Sequence, residues 1–148
     1  MSDLAILPDA EWVVVRFLRG QPELAGIRVG TSVPPKPTFP TVRVVRWGGV
    51  PLSSRPLWVD NASCQVDVWA NGKAEVMDVA ALVRALLSVR LVGSQPGVVV
   101  TAVTFGIFSD EPDDTYSPAK PRVRFDITVT LHPDGSDTPA LETKGESP

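Results

Sequence analysis

Few side chains in this sequence are suited to nucleophilic, acid–base or metal chemistry. The chain has one histidine, His132, and one cysteine, Cys64. A serine or cysteine nucleophile needs a histidine held in a rigid pocket, whereas His132 borders a polar C-terminal stretch and is expected to be a surface residue. One histidine and one cysteine cannot supply the ligands of a structural zinc site. Cys64 lies on the apolar side of an alternating segment, which is typical of a small buried residue.

The acidic and glycine-containing segments are the other candidate binding sites in the sequence. Residues 110–114 offer the oxygen ligands that calcium prefers, but without the spacing and glycine of an EF-hand loop. A solvated acidic loop is the alternative. Segments 26–30 and 48–49 match neither the Walker nor the dinucleotide-binding pattern. We therefore predict no catalytic, metal-binding or cofactor-binding residues, no cofactor, and a protein that is not an enzyme and acts through its surfaces.

Aromatic residues are candidates for such a surface. Trp69 falls opposite Cys64 on its strand, on the side that we expect to be less covered, and Trp58 lies in a loop. Exposed tryptophans favour interfaces, although loops that fold over them would make them part of the core instead. We predict an interface that uses either the loops with Trp58 and Tyr116 or the polar side of the last strand.

Charged residues mark that polar side. Arg122, Arg124 and Asp126 alternate along the last predicted strand and share one face. Arg43 would join them if its strand were a neighbour, whereas Arg46 would lie on the other face. Such a group could form salt bridges between subunits or contact phosphates, or it could simply be a solvated sheet face.

Seven elements are predicted, in the order helix, strand, strand, strand, helix, strand, strand. They cover residues 9–19, 27–33, 41–47, 62–70, 72–90, 97–107 and 122–131. Asp9 and Asn71 are the expected N-caps of the two helices, and Gly48 with Gly49 is expected to end the strand before them. The strand at 97–107 is apolar on both faces, which predicts a central position in its sheet.

This order predicts an α+β fold with a single, largely antiparallel or mixed sheet of about five strands and two main helices packed on one face. A chain of 148 residues with 43% hydrophobic and 21% charged residues suits one domain with a real core. We predict a domain at residues 1–131 and a flexible C-terminal tail at residues 132–148.

The net charge and the hydropathy of the chain argue against nucleic acid and membranes as binding partners. The net charge of -3 does not support bulk electrostatic binding to nucleic acid. The first residues lack the basic and apolar regions of a signal peptide, and no apolar run approaches the ~20 residues that cross a bilayer. We expect the protein not to associate with a membrane. We also expect it to assemble in the cytoplasm of the producing cell.

Beyond these patterns, the chain resembles the tail terminator (tail completion) proteins of long-tailed phages with non-contractile tails, especially those of actinobacterial hosts. Four features carry the resemblance across about residues 10–131. They are the opening helix and turn at 12–25, the proline-led strand at 39–46, the strand and helix at 64–70 and 74–87, and the closing hairpin of 97–105 and 122–131 around a loop with Asp114 and Tyr116.

The resemblance implies a structural virion protein at the head-proximal end of the tail. Such proteins are expected to form a homo-oligomeric, hexameric ring that caps the tail tube, ends its polymerisation and offers a surface to the neck proteins of the head. DNA would pass through the central hole without sequence-specific binding. The tube protein, the neck proteins and other copies of the chain are the implied partners.

Two alternatives stay open at this stage. One is another neck component, a head–tail connector or stopper, which would share the composition and the lack of reactive residues. The other is a small ligand-binding or enzymatic α+β domain, which would need a pocket with convergent polar groups.

Overall fold

The structure, a computed structural model, describes residues 8–51 and 59–133. The first helix, α1 (Ala10–Arg19), begins as predicted at Asp9, whose side chain accepts a hydrogen bond from the Trp12 backbone N–H at 3.3 Å. Gly20 ends it. The three consecutive valines at 13–15 favour strand by propensity, yet all are buried in the helix. Tertiary packing therefore outweighs local preference here.

Strand β1 (Arg28–Gly30) is shorter than predicted, and β2 (Thr41–Pro51) is longer. The prediction that Gly48 and Gly49 end β2 is wrong. A β-bulge after Arg46 absorbs one extra residue, and pairing resumes at Gly48. At Gly49 the backbone has φ +120°, and a Cβ would lie 2.2 Å from the Asn61 carbonyl oxygen. Glycine therefore lets β2 approach its neighbour closely rather than stopping it.

Strand β3 (Asp60–Trp69) leads into helix α2 (Lys73–Arg90). Gly72, not Asn71, occupies the N-cap position. The side chain of Asn71 is used elsewhere, because its Oδ1 accepts a hydrogen bond from Lys120 Nζ at 3.1 Å. The predicted apolar stripe of α2 is confirmed. It consists of Val76, Val79, Ala80, Val83, Leu86 and Leu87.

Three strands complete the sheet: β4 (Gly93–Gln95), β5 (Val98–Asp110) and β6 (Arg122–Pro133). The sequence did not predict β4, whose three residues are too short for any periodicity to show. Strand β6 alternates as predicted, with Val123, Phe125, Ile127, Val129 and Leu131 buried. It includes His132, which pairs with Val99, and the rest of the predicted C-terminal tail, at 134–148, lies outside the described residues.

The six strands form one sheet in the order β1-β2-β3-β6-β5-β4, antiparallel except for the β1/β2 pair. The predicted α+β architecture is confirmed, with six strands instead of about five. The prediction that 97–107 is central is wrong, because β3 and β6 occupy the middle and β5 lies beside the edge. Central strands here alternate because only one sheet face is covered by α1 and α2.

Cys64 lies on the covered face and is fully buried, as predicted. Burial raises the pKa of its thiol to about 12, although the nearby Arg46 guanidinium opposes this shift. We expect a thiol reagent at pH 8 to leave the native protein unmodified and to label one group per chain after unfolding in guanidinium chloride. Rapid labelling of the native chain would contradict this placement.

The same pKa shift predicts a pH dependence of stability. The unfolded thiol ionises near pH 8.5–9, while the folded thiol keeps its proton up to about pH 12. The stabilising contribution is therefore complete below pH 9 and is lost as pH rises toward 12. The Cys64→Ala variant controls for other groups that titrate there, and its free energy of unfolding should fall less steeply over this range.

Candidate assembly surfaces

The sheet face opposite the helices carries a compact ion-pair cluster, which we call the Asp67 cluster: Arg43, Asp67, Arg124 and Gln65. Register places Arg43 beside Asp67 and Asp67 beside Arg124 on β2, β3 and β6. One Asp67 oxygen accepts from Arg43 Nη2 at 2.6 Å, and the other accepts from Arg124 Nε at 2.7 Å. Arg124 Nη2 also donates to Gln65 Oε1 at 2.5 Å. The cluster therefore joins three adjacent strands.

The Asp67 cluster determines how much of the positive charge of Arg43 and Arg124 remains for a partner outside the subunit. The Asp67 side chain is fully buried, while those of Arg43 and Arg124 are 29% and 26% exposed. Arg46 lies on the opposite face, as predicted, and forms a bidentate pair with the buried Asp60 at 2.5 and 2.8 Å. These arginines are thus engaged by carboxylates within the subunit, which leaves less charge for an outside partner.

Trp69 is 3% exposed, so the alternative in which a loop covers it holds in this chain. Its Nε1 donates to Asp113 Oδ2 at 2.8 Å. The guanidinium groups of Arg43 and Arg122 lie 5.2 and 6.0 Å from the indole centroid, within the range of cation–π attraction. Trp69 therefore forms part of the packed base of the polar face.

Asp113 fixes the loop at 111–121, although the run of acidic residues around it is typical of a solvated loop. Its backbone pairs with Lys120 in both directions, at 2.8 and 3.1 Å. Burial opposes the charged form, but hydrogen bonds from Thr115 and Trp69 outweigh it and hold the pKa of Asp113 below its usual value. The need of a buried indole N–H for an acceptor was the signal that could have identified this residue.

Tyr116 anchors the far side of the same loop. Its half-buried ring meets Phe39 edge-to-face at 5.8 Å, and Lys120 Nζ lies 4.4 Å from the Phe39 centroid. The loop is therefore packed against residues that precede β2. Within residues 8–51 and 59–133, no three His, Cys, Asp or Glu side chains form a group that could hold a metal ion.

The predicted interface residues are thus only partly gathered. The polar face of β6 carries three half-buried side chains, Arg122, Arg124 and Asp126. Trp69 pairs with Arg122 at the start of β6, and Tyr116 lies in the loop that precedes this strand. Trp58 lies outside the described residues. Whether these residues contact another subunit or the tube stays a prediction.

The edges of the sheet are a feature that the sequence analysis missed. Strand β1 pairs only with Thr41–Arg43 of β2, and β4 pairs only with Val98–Val100 of β5. On the sides that face away from β3 and β6, the remaining lengths of β2 and β5 have no strand partner within the described residues. Each contains a bulge with an exposed apolar residue, namely Trp47 at 64% and Ile107 at 78%.

A groove runs between the open part of β5 and helix α2. Its volume is about 350 Å³. Phe105 and Phe108 form the strand side, and Arg84 lies over both rings at 5.3 and 5.7 Å from their centroids. No helix in the described part of the chain has the length and apolar character needed to cross a membrane.

Comparisons with known proteins agree with this architecture. Residues 13–130 match the family described as Tail completion protein gp17. A chain in a solved structure of the virion of a native gene transfer agent particle superposes with a TM-score of 0.58 at 18% sequence identity. The match covers 83% of this chain and 94% of that one, and at such identity it bears on the fold. No curated protein is significantly similar to the chain.

Replacing Asp67 tests the Asp67 cluster. The Asp67→Asn change leaves two guanidinium groups on the sheet face without their shared carboxylate, and should lower the free energy of unfolding by about 2–3 kcal/mol. This is below the range for fully buried pairs because both arginines keep solvent contact. Urea unfolding measures it. Asp126→Asn, on the same face and without an ion pair among the described residues, should cost less than about 0.5 kcal/mol. Equal losses would contradict the assignment.

Asp113 gives the loop a specific acid response. Because its pKa is lowered in the folded state, its charge stabilises the fold above the unfolded pKa of about 3.9 and this contribution is lost as pH falls through the lower folded value. The stability difference between wild type and Asp113→Asn should be full at pH 6 and shrink below about pH 4. Asp114→Asn, at an exposed neighbour, should show little difference throughout. A gap that stays constant to pH 3 would rule out this role for Asp113.

Proposed function

The chain belongs to the tail completion protein gp17 family, and from this premise we propose that it forms a ring that caps the finished tail tube. The ring stops the addition of tube subunits and presents a head-proximal surface to which the neck of the filled head joins. We propose six copies per ring, the number implied by the resemblance to terminators of non-contractile tails. In this role the protein is structural and works by contact, without a reaction.

The observation that supports a ring best is the pair of open sheet edges. The open lengths of β2 and β5 lie on opposite sides of the same sheet. A subunit with two different, complementary edges makes head-to-tail contacts, and such contacts close into a ring when the rotation between neighbours divides a full turn. A dimer that used one edge twice would leave the other edge open.

The charge distribution supports passage of DNA without capture. The chain is slightly acidic, and Arg43 and Arg124 on the polar face are both bound by the buried Asp67. Tight, sequence-independent binding to DNA needs lysines and arginines that are free to neutralise phosphates. A ring built from such subunits would hold the passing duplex weakly.

We place the contact with the tube on the polar side of β6, at Arg122, Arg124 and Asp126, together with Tyr116 in the neighbouring loop. These side chains are partly exposed, and the loop that carries Tyr116 is fixed against the body of the domain. Rigid positioning reduces the entropy lost on binding. Trp58 is assigned to the same contact from the sequence alone, while Trp69 supports it from beneath.

Deletion of the gene from the producing cell tests the proposal. Without the chain, tail tubes should grow past their normal length and fail to join heads, and plasmid-borne wild type should restore uniform tails. Negative-stain microscopy measures tail length directly. Tails of normal length that remain separate from heads would overturn the capping role and indicate a connector or stopper instead.

A further inference from the structure

The two open edges differ in shape. On β2, the bulge projects Trp47, which is 64% exposed. On the other side, the groove between β5 and α2 is floored by small residues of the helix, Ala81 and Ala85, and walled by Phe105 and Phe108. A solvent-exposed tryptophan is unusual for a monomer surface and is enriched where proteins meet. One edge thus offers a protruding side chain and the other a hollow.

Arg84 gives the groove a preference for particular side chains. It contacts the faces of Phe105 and Phe108, but has no hydrogen bond or ion pair among the described residues. An arginine over aromatic rings prefers a further aromatic face or a carboxylate as its partner. The groove volume of about 350 Å³ lies at the small end of ligand sites, a size suited to one aromatic side chain.

We propose that Trp47 of one copy of this chain inserts into the groove of the next copy and forms the core of the contact between subunits. This inference rests on the proposed ring and names the residues that close it. A knob and a hole on different sides of one molecule make a heterologous contact, which propagates around a ring. Trp47 would stack against Phe105 or Phe108, with Arg84 over the indole face.

Charge also favours a second copy as the occupant. The carboxylate of Glu11 accepts a hydrogen bond from the backbone N–H of Arg46 at 2.8 Å, and so lies beside Trp47 on the same edge. When Trp47 enters the groove, Glu11 comes toward Arg84 of the neighbour. The edge with Trp47 therefore carries the acid, and the edge with the groove carries Arg84, a base with no carboxylate partner in the described part of the chain.

Strand direction is compatible with this arrangement. Each step from β2 through β3 and β6 to β5 is antiparallel, so β2 and β5 run in opposite directions within one subunit. Suppose that neighbouring subunits are related by rotation about an axis parallel to the strands. The open edge of β2 in one subunit then faces the open edge of β5 in the next, and these two strands run in opposite directions. The approaching edges can then add antiparallel main-chain hydrogen bonds to the side-chain contact.

Engineered disulfide cross-linking in assembled particles tests the contact. Gly48→Cys, which keeps the adjacent Trp47 and has open space for a side chain, and Ala85→Cys are combined in a Cys64→Ala chain and expressed in cells that lack the natural copy. After mild oxidation, particles should yield chain multimers that disappear on reduction, because the two thiols lie across one subunit boundary. Asp78→Cys, at an exposed position on the same helix outside the groove, replaces Ala85→Cys in the control and should give none.

The outcomes of this cross-linking experiment distinguish the Trp47 contact from the capping role. Normal tails that contain the chain but no multimers, or links to another tail protein, would overturn the Trp47 contact while the capping role stands. If neither the wild-type chain nor the variants were found in tails, both the Trp47 contact and the capping role would be overturned. Multimers with the Ala85 pair only would support the inference.

A substitution series gives an independent readout. Trp47→Ala should raise the concentration that half-saturates purified tube ends by about tenfold or more, as expected for a central aromatic hot spot, whereas Trp47→Phe should keep most of the binding. Trp47 is exposed, so both variants should unfold at the wild-type temperature, which circular dichroism checks. Wild-type capping by a folded Trp47→Ala chain would refute the proposal.

Discussion

The pairing of β3 with β6 is the constraint on which the rest of the structure depends. Ten consecutive residue pairs join them, from Asp60 with Leu131 to Trp69 with Arg122, without a bulge. This uninterrupted register fixes which side chains face the helices and which face outward, because a slip of one residue would exchange the two faces. The same register places Arg124 beside Asp67, where the pairing of β2 with β3 also brings Arg43. Core, ion-pair cluster and polar face are thus three consequences of one alignment.

The Asp67 cluster reinforces that alignment. A slip of β6 would take Arg124 away from the buried Asp67 carboxylate and leave one of its oxygens without a charged donor, which costs about 1–3 kcal/mol. A buried ion pair adds little net stability over a well-packed apolar pair, but it penalises every wrong register. The cluster therefore contributes mainly to the specificity of strand pairing, and the ring subunit proposed above would require such a specific shape.

The sequence predicts those features that local periodicity encodes. The alternation of residues 122–131 and the apolar stripe of α2 identified buried positions correctly, and Asp9 correctly marked the start of α1. Features that depend on distant partners were missed. Gly49 looked like a strand end because its close approach to Asn61 is a property of the pair, not of β2. Asp113 looked like a solvated acid because its partner Trp69 lies 44 residues away in the chain.

The candidate surfaces were the least predictable part, for a related reason. An open edge is created by where β1 and β4 stop, and strands of three residues carry no pattern that marks their ends. Among the tryptophans, local alternation could not tell that Trp69 would be covered and Trp47 exposed. Exposure at Trp47 follows from a bulge, which displaces the side chain from the regular faces of the sheet.

Open edges also pose a physical problem that the fold addresses. Unpaired strands invite uncontrolled addition of other strands, yet the ring subunit proposed above would have to offer edges to its neighbours. Here a bulge interrupts each open edge, and Glu11 occupies the Arg46 N–H on β2. Main-chain pairing alone is thereby weakened, so a stable contact must come from side chains that fit. In the contact proposed above, Trp47 and the groove would fix one relative orientation of neighbouring copies, and a ring rather than a fibre results when that rotation divides a full turn.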